Sequence, residues 1–201
     1  MGWSCAAWCQ AAPDFGNARV SDDARYAADQ VVDAADNQGF PFAIVDKRDA
    51  RLYVFNAAGR LIGASAALLG STAGDRSVPD AALHQPGQIA ADERTTPAGR
   101  FRSRPGRNDK GEAIVWFDYE ASLAIHRLRP APAQERRPAR LASSSPDDNR
   151  ISLGCVVVPV DFYESVVQVV MGQGESVLYI LPETRPAHAL FEMLGMSARA
   201  D

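Results

Sequence analysis

The chain has 201 residues, 46% of them hydrophobic and 23% charged. That is enough for one domain with a buried core that needs no disulfide or metal staple. The 21 basic against 25 acidic residues leave a net charge of −4, which excludes general nucleic-acid binding. No run of about 18 apolar residues occurs, so no transmembrane segment is expected. Cys5, Cys9 and Cys155 cannot build a disulfide framework. None of them joins a His at zinc spacing, so no metal and no cofactor is expected.

Met1 to Ala12 carry no charge and are rich in Ala, Trp and Cys. They read as the back half of a secretory signal whose basic start is missing, which implies a periplasmic or cell-envelope location. Ser21-Asp22-Asp23 marks a helix start, with a capping Ser and acids near the positive end of the dipole. Apolar residues at helical spacing and Gly39 predict one helix over 21–39. The runs Phe42–Val45, Arg51–Phe55 and Arg60–Leu69, separated by polar turns, predict a β-meander. Residues 70–92 are turn-rich and hold His84, expected at the surface. Short strands resume at 99–102, 113–117 and 122–125.

Residues 127–149 hold five Arg and four Pro. That Pro density argues against helix or central strand and predicts a long surface loop. Cys155–Val158, a helix over 160–171, a strand at 176–180 and a terminal helix from His188 complete the chain. The fold class is therefore mainly β, a sandwich or barrel with an N-terminal helix, one helix after residue 158 and a short C-terminal helix. The expected organisation is an N-terminal segment 1–20, the helix 21–39, a main domain 40–184 with an inserted loop 127–149, and a tail 185–201.

One constellation pairs a nucleophile with a base. Cys155 follows Gly154 at the start of an apolar run, and His126 ends the strand Leu123–Ile125. A preceding Gly permits a tight turn and exposes backbone N–H groups to a substrate carbonyl. An adjacent imidazole activates a thiol. By spacing alone, a buried structural thiol and a core histidine fit the same pattern.

Four stretches together resemble the L,D-transpeptidase (YkuD-like) catalytic domain. Phe42–Lys47 with Arg51–Phe55 is similar to its opening hairpin. Thr95-Thr-Pro-Ala-Gly-Arg-Phe101 resembles its T-P-x-G-x-F turn. Ala124-Ile-His126 resembles the strand carrying the base, and Ser152-Leu-Gly-Cys155 the S-H-G-C nucleophile motif. The likeness spans about residues 42 to 182. It implies a thioester acyl-enzyme formed on peptidoglycan stem peptides, in cell-wall cross-linking or remodelling, with no cofactor. Cys155 would be the nucleophile and His126 the base. Ser152 would hold the turn or bond the His, and the N–H groups of Leu153, Gly154 and Cys155 would be oxyanion donors. An L,D-carboxypeptidase, with water as acceptor, and a catalytically silent wall-binding module are the alternatives.

The sequence departs from the pattern at three places. Leu153 replaces the motif His, and Val157 stands where an Arg or Asn is usual. His126 and Cys155 are 29 positions apart, and the excess is the Arg/Pro-rich segment, expected to cover the groove. Arg150 and Arg127, with Arg129, are candidates to replace the missing Arg, because a guanidinium fork suits carboxylates. Leu153 is placed at the substrate side of the same motif.

Overall fold

A computed structural model describes residues 12–76 and 89–196. The opening apolar segment with Cys5 and Cys9, and His84, lie outside them. Among the described residues ten strands form: β1 (Phe42–Asp46), β2 (Arg51–Phe55), β3 (Leu61–Ala66), β4 (Leu69–Gly70), β5 (Gly99–Arg107), β6 (Ala113–Asp118), β7 (Leu123–Arg127), β8 (Arg150–Ser152), β9 (Val156–Val158) and β10 (Ser176–Ile180). Eight of them make one sheet in the order β3-β2-β1-β10-β5-β6-β7-β9, and β4 pairs with β8. The chain after β3 bridges Leu68 to Val157 of β9 at the far end, with N–H···O distances of 2.7 and 2.9 Å in the two directions. The two edges of the sheet therefore meet, and the fold is mainly β with a sheet closed on itself.

Both faces of the central strands are buried, and strict alternation sorts their side chains. Ala43, Val45, Leu52, Val54, Leu178 and Ile180 point to the interior, where Tyr163, Val167 and Met171 fill the space. Tyr163 and Val167 belong to, and Met171 caps, a helical stretch made of α3 (Val160–Phe162), a π-helical turn (Tyr163–Val167) and α4 (Gln168–Val170). Phe42, Ile44, Tyr53, Phe55, Val177 and Tyr179 point outward. There they meet α1 (Asp22–Asp33) and α5 (His188–Met193). Phe15, ahead of α1, adds an edge-to-face contact with Phe55 at 5.7 Å.

The N-terminal helix is shorter than its pattern predicts. Ser21 caps it as expected, its hydroxyl accepting from the Ala24 N–H at 3.1 Å. The helix stops at Asp33, and Ala35 takes φ +51°. Asn37 supplies the physical reason: its amide donates to the carbonyls of Phe40 and Ala57 and fixes a turn that a continuing helix could not make. The expected strand 60–69 is two strands, β3 and β4. The segment 127–149 also departs from expectation. It holds a five-residue helix, α2 (Arg137–Leu141), flanked by 3₁₀ turns at Ala133–Glu135 and Pro146–Asn149. Pro138 lies in the first turn of α2, where its missing N–H costs no intrahelical bond.

One polar network crosses the structure beneath the β1–β2 turn. Lys47 is fully buried, and its ammonium donates to Gly74 O (2.5 Å), Asp75 Oδ1 (2.8 Å) and Thr96 O (2.9 Å). Three donors meet three oxygens. Glu183 lies 3.3 Å away and is itself held by Arg150. Burial alone would raise the Asp75 carboxyl. Hydrogen bonds from Lys47, Thr184 and the Glu183 N–H outweigh it and bring the pKa down to about 2. Lys47→Met should lower unfolding stability by about 3–5 kcal/mol, because it leaves the buried Asp75 carboxylate without its counter-charge and two backbone carbonyls without a donor. Lys47→Arg should fail to rescue it, since a planar fork cannot reach three oxygens arranged around a point charge. Urea unfolding of the two variants checks both statements.

Candidate active site

The strands β7 and β9 run parallel side by side, pairing Ile125 with Val156 and His126 with Val157. Ile125 and Val156 face the interior. His126 and Val157 alternate to the opposite face. Cys155 stands one residue ahead of β9. It is partly buried and packs at the border of the interior cluster. The chain order that separates His126 from Cys155 is thus undone by one strand pairing.

The turn before Cys155 is clamped from within and from outside. The Ser152 hydroxyl donates to Cys155 O at 2.7 Å and accepts from the Gly154 N–H at 3.1 Å. The Thr96 hydroxyl donates to Gly154 O at 2.9 Å and accepts from the Gly70 N–H at 2.9 Å. Gly154 has φ +130°, and a Cβ there would stand 2.6 Å from Thr95 O. Gly70 meets the same loop from the other side: its Cβ would lie 2.3 Å from Arg94 O and 2.7 Å from Thr96 N. Residues 94–96 are therefore wedged between two glycines, and neither glycine tolerates a side chain. Of the two roles open to Ser152, the turn-holding one is occupied here.

His126 is 6% exposed. Its Nδ1 lies 2.7 Å from Arg127 O. A carbonyl only accepts, so Nδ1 carries the proton and Nε2 presents its lone pair. Burial first, then the Arg129 guanidinium, push the imidazole pKa down to about 4, against the Arg127 carbonyl and Glu112. Burial pushes the Cys155 thiol up, and the Ala124 amide and Arg129 only partly offset it. The Sγ lies 3.8 Å from Ser122 O, an acceptor for S–H. Both shifts favour the uncharged forms, a thiol at Cys155 and a neutral imidazole at His126, over a thiolate–imidazolium pair.

The candidate arginines divide. Arg150 is bonded to Glu183 and, at 2.9 Å, to Lys47 O, so it belongs to the buried network. Arg127 pairs with Glu112 at 3.2 Å and Glu164 at 2.6 Å, and lies over the Tyr163 ring. Arg129 alone bears on both His126 and Cys155. Leu153 is half-buried in the turn. Lys47 and Thr96 escaped sequence reasoning as site-building residues. One signal was present: Lys47 is one of two Lys among 19 Arg, and it ends an apolar strand.

No protein-family profile matches the chain, and no curated protein does. Solved structures similar to it include the helical cell shape determining protein Pgp2 from Campylobacter jejuni, at 15% identity and TM-score 0.44, over 73% of this chain and 49% of that one. An L,D-transpeptidase from Xylanimonas cellulosilytica aligns at 15% identity and TM-score 0.44, over 75% and 67%. The catalytic domain of the E. faecium L,D-transpeptidase aligns at 16% identity and TM-score 0.37, over 71% and 98%. The chain spans about half the length of the first solved chains it matches. Among the described residues, no helix is long and apolar enough to cross a membrane.

Two outcomes test this geometry. Gly154→Ala should cost at least ~2 kcal/mol, through a disfavoured φ and a backbone collision, measured by denaturant unfolding. Alkylation of Cys155 by iodoacetamide should keep rising through about pH 9, because burial has lifted the thiol above its ordinary value near 8.5. A rate plateau already present below pH 7 would instead mean a thiolate–imidazolium pair.

Proposed function

We propose that the protein is a cysteine acyltransferase of the L,D-transpeptidase type, acting on peptidoglycan stem peptides in the cell envelope. One observation carries the reading. The Ser152–Cys155 turn sets Cys155 directly ahead of β9, the strand paired with the one that carries His126, and His126 Nδ1 is bonded to Arg127 O, which leaves Nε2 with a free lone pair. Three of the four sequence stretches behind the family resemblance lie at this place, and the opening hairpin is joined to it through Lys47 and Thr96.

In the proposed reaction, Cys155 Sγ attacks the carbonyl after the L-centre of diaminopimelate, and its proton moves to His126 Nε2. The tetrahedral oxyanion is held by backbone N–H groups. That of Gly154 is committed to Ser152 at rest, which leaves those of Leu153 and Cys155 for the task. Collapse breaks the C–N bond, Nε2 returns the proton to the departing D-alanine amine, and a thioester remains. An amine of a second stem then attacks the thioester and gives a proton to Nε2, which passes it to the leaving sulfur. Water in place of that amine makes the protein an L,D-carboxypeptidase by the same steps.

Intact-mass analysis after incubation with a stem tetrapeptide ending in D-alanine should find one tripeptide acyl group on Cys155. Cys155→Ala should abolish it. His126→Ala should slow acylation by roughly 10²–10⁴-fold. With His126 charged only below about pH 4, acylation should hold its rate down to about pH 5 and fall below that. Binding of the tetrapeptide with no adduct at any pH would establish the silent wall-binding module instead.

A further inference from the structure

The segment between the two catalytic positions builds a groove of its own. After His126 the chain stays paired with β9 through Leu128, whose N–H donates to Val158 O at 2.7 Å. It then turns away through Pro130 and Pro132. The resulting groove has a volume of about 450 Å³, the size of a small-ligand site. Leu128, Pro132 and Val160 supply its apolar surface, and Arg129, Arg136 and Arg137 its charge. Arg129 is neutralised by Glu112 at 2.6 Å and Arg137 by Glu135 at 2.5 Å. Arg136 pairs with no acid among the described residues, so the groove keeps a net positive charge. Arg136 is exposed, and it occupies φ +48°, a conformation an Arg rarely takes.

We propose that this groove is a carboxylate-binding subsite, with Arg136 as its specificity-determining residue, for a peptide that ends in a free carboxylate after a small apolar side chain. This identification rests on the proposed function, because it puts the carboxyl end of the donor peptide next to the reacting pair. The groove is entered directly from the end of β7, two residues beyond His126. Its apolar surface accepts a methyl group, and the Arg136 fork accepts a carboxylate in bidentate fashion. Arg127 and Arg150 are committed to acids elsewhere and cannot serve.

The test uses the full chain carrying Cys155→Ala, so that binding is read apart from chemistry. Calorimetric titration compares the stem tetrapeptide as free acid with its C-terminal amide. The acid should bind about tenfold tighter, and the ratio should shrink at high salt. Arg136→Gln should bring the ratio close to one, and Arg136→Lys should keep part of it. Arg136→Asn, which suits a left-handed backbone, should lose the ratio as Gln does while melting no lower than the parent. Equal affinity for acid and amide in the parent, no binding of either, or a ratio that survives Arg136→Gln would overturn the subsite. Failure of the unmodified protein to acylate Cys155, with the acid-to-amide ratio intact, would remove the catalytic reading and still support the groove.

Discussion

The site depends on a short piece of backbone wedged between two glycines. Residues 94–96 pass so close to Gly70 and Gly154 that neither can carry a Cβ. Close approach is useful only if the wedge cannot move, and the Lys47 ammonium fixes it by holding Thr96 O from below. The Thr96 hydroxyl then joins Gly70 to Gly154 across the gap. A buried charge is costly unless fully bonded, and Lys47 spends all three donors on the loops that frame the site. Its burial ties the opening hairpin, the 94–99 loop and the Ser152–Cys155 turn together, as a preorganised site would require.

That rigidity goes with the electrostatics. A thiol buried without a full counter-charge stays protonated, and an imidazole buried beside Arg129 stays neutral. Neither shift favours mutual ionisation of the two groups. Under the proposed function, activation would come from position: an Nε2 lone pair held by the Nδ1–Arg127 contact, and a proton that leaves sulfur only when an electrophile arrives. The same state of His126 has a stability consequence. Its folded pKa lies below the ordinary value near 6.5, so the unfolded chain binds the extra proton as pH falls from about 6.5 to about 4. The stability held above that window is lost within it. Asp75 works lower, its contribution being complete above about pH 4 and lost as pH falls toward about 2.

Much of the fold was legible because the central strands alternate with period two and the turns between them are polar. Phe42–Asp46 and Arg51–Phe55 emerge as strands within a residue of their patterns. The capping Ser21 was equally plain. The end of α1 was not, because Asn37 acts through carbonyls that only the folded chain brings near. Closure through Leu68 and Val157 is a contact across 89 positions, and no local pattern encodes it. At the site, Cys155, His126, Ser152 and Gly154 were nameable from motif resemblance. Lys47 and Thr96 were not: the scarcity of Lys marks Lys47 out, but nothing local tells a buried Lys from an exposed one. The arginines show the same limit: composition ranks Arg127, Arg129, Arg136 and Arg150 alike, and only their partners separate them.

The claim that one clamped turn organises the site is tested most directly by a double-mutant cycle between Thr96→Val and Ser152→Ala, read by urea unfolding. The two hydroxyls hold the two peptide groups that flank one residue, through Gly154 O and Gly154 N–H. If they act on one rigid turn, each single change should cost about 1–3 kcal/mol, and the double change should cost less than their sum by at least about 0.5 kcal/mol. Strict additivity of the two losses would contradict the account.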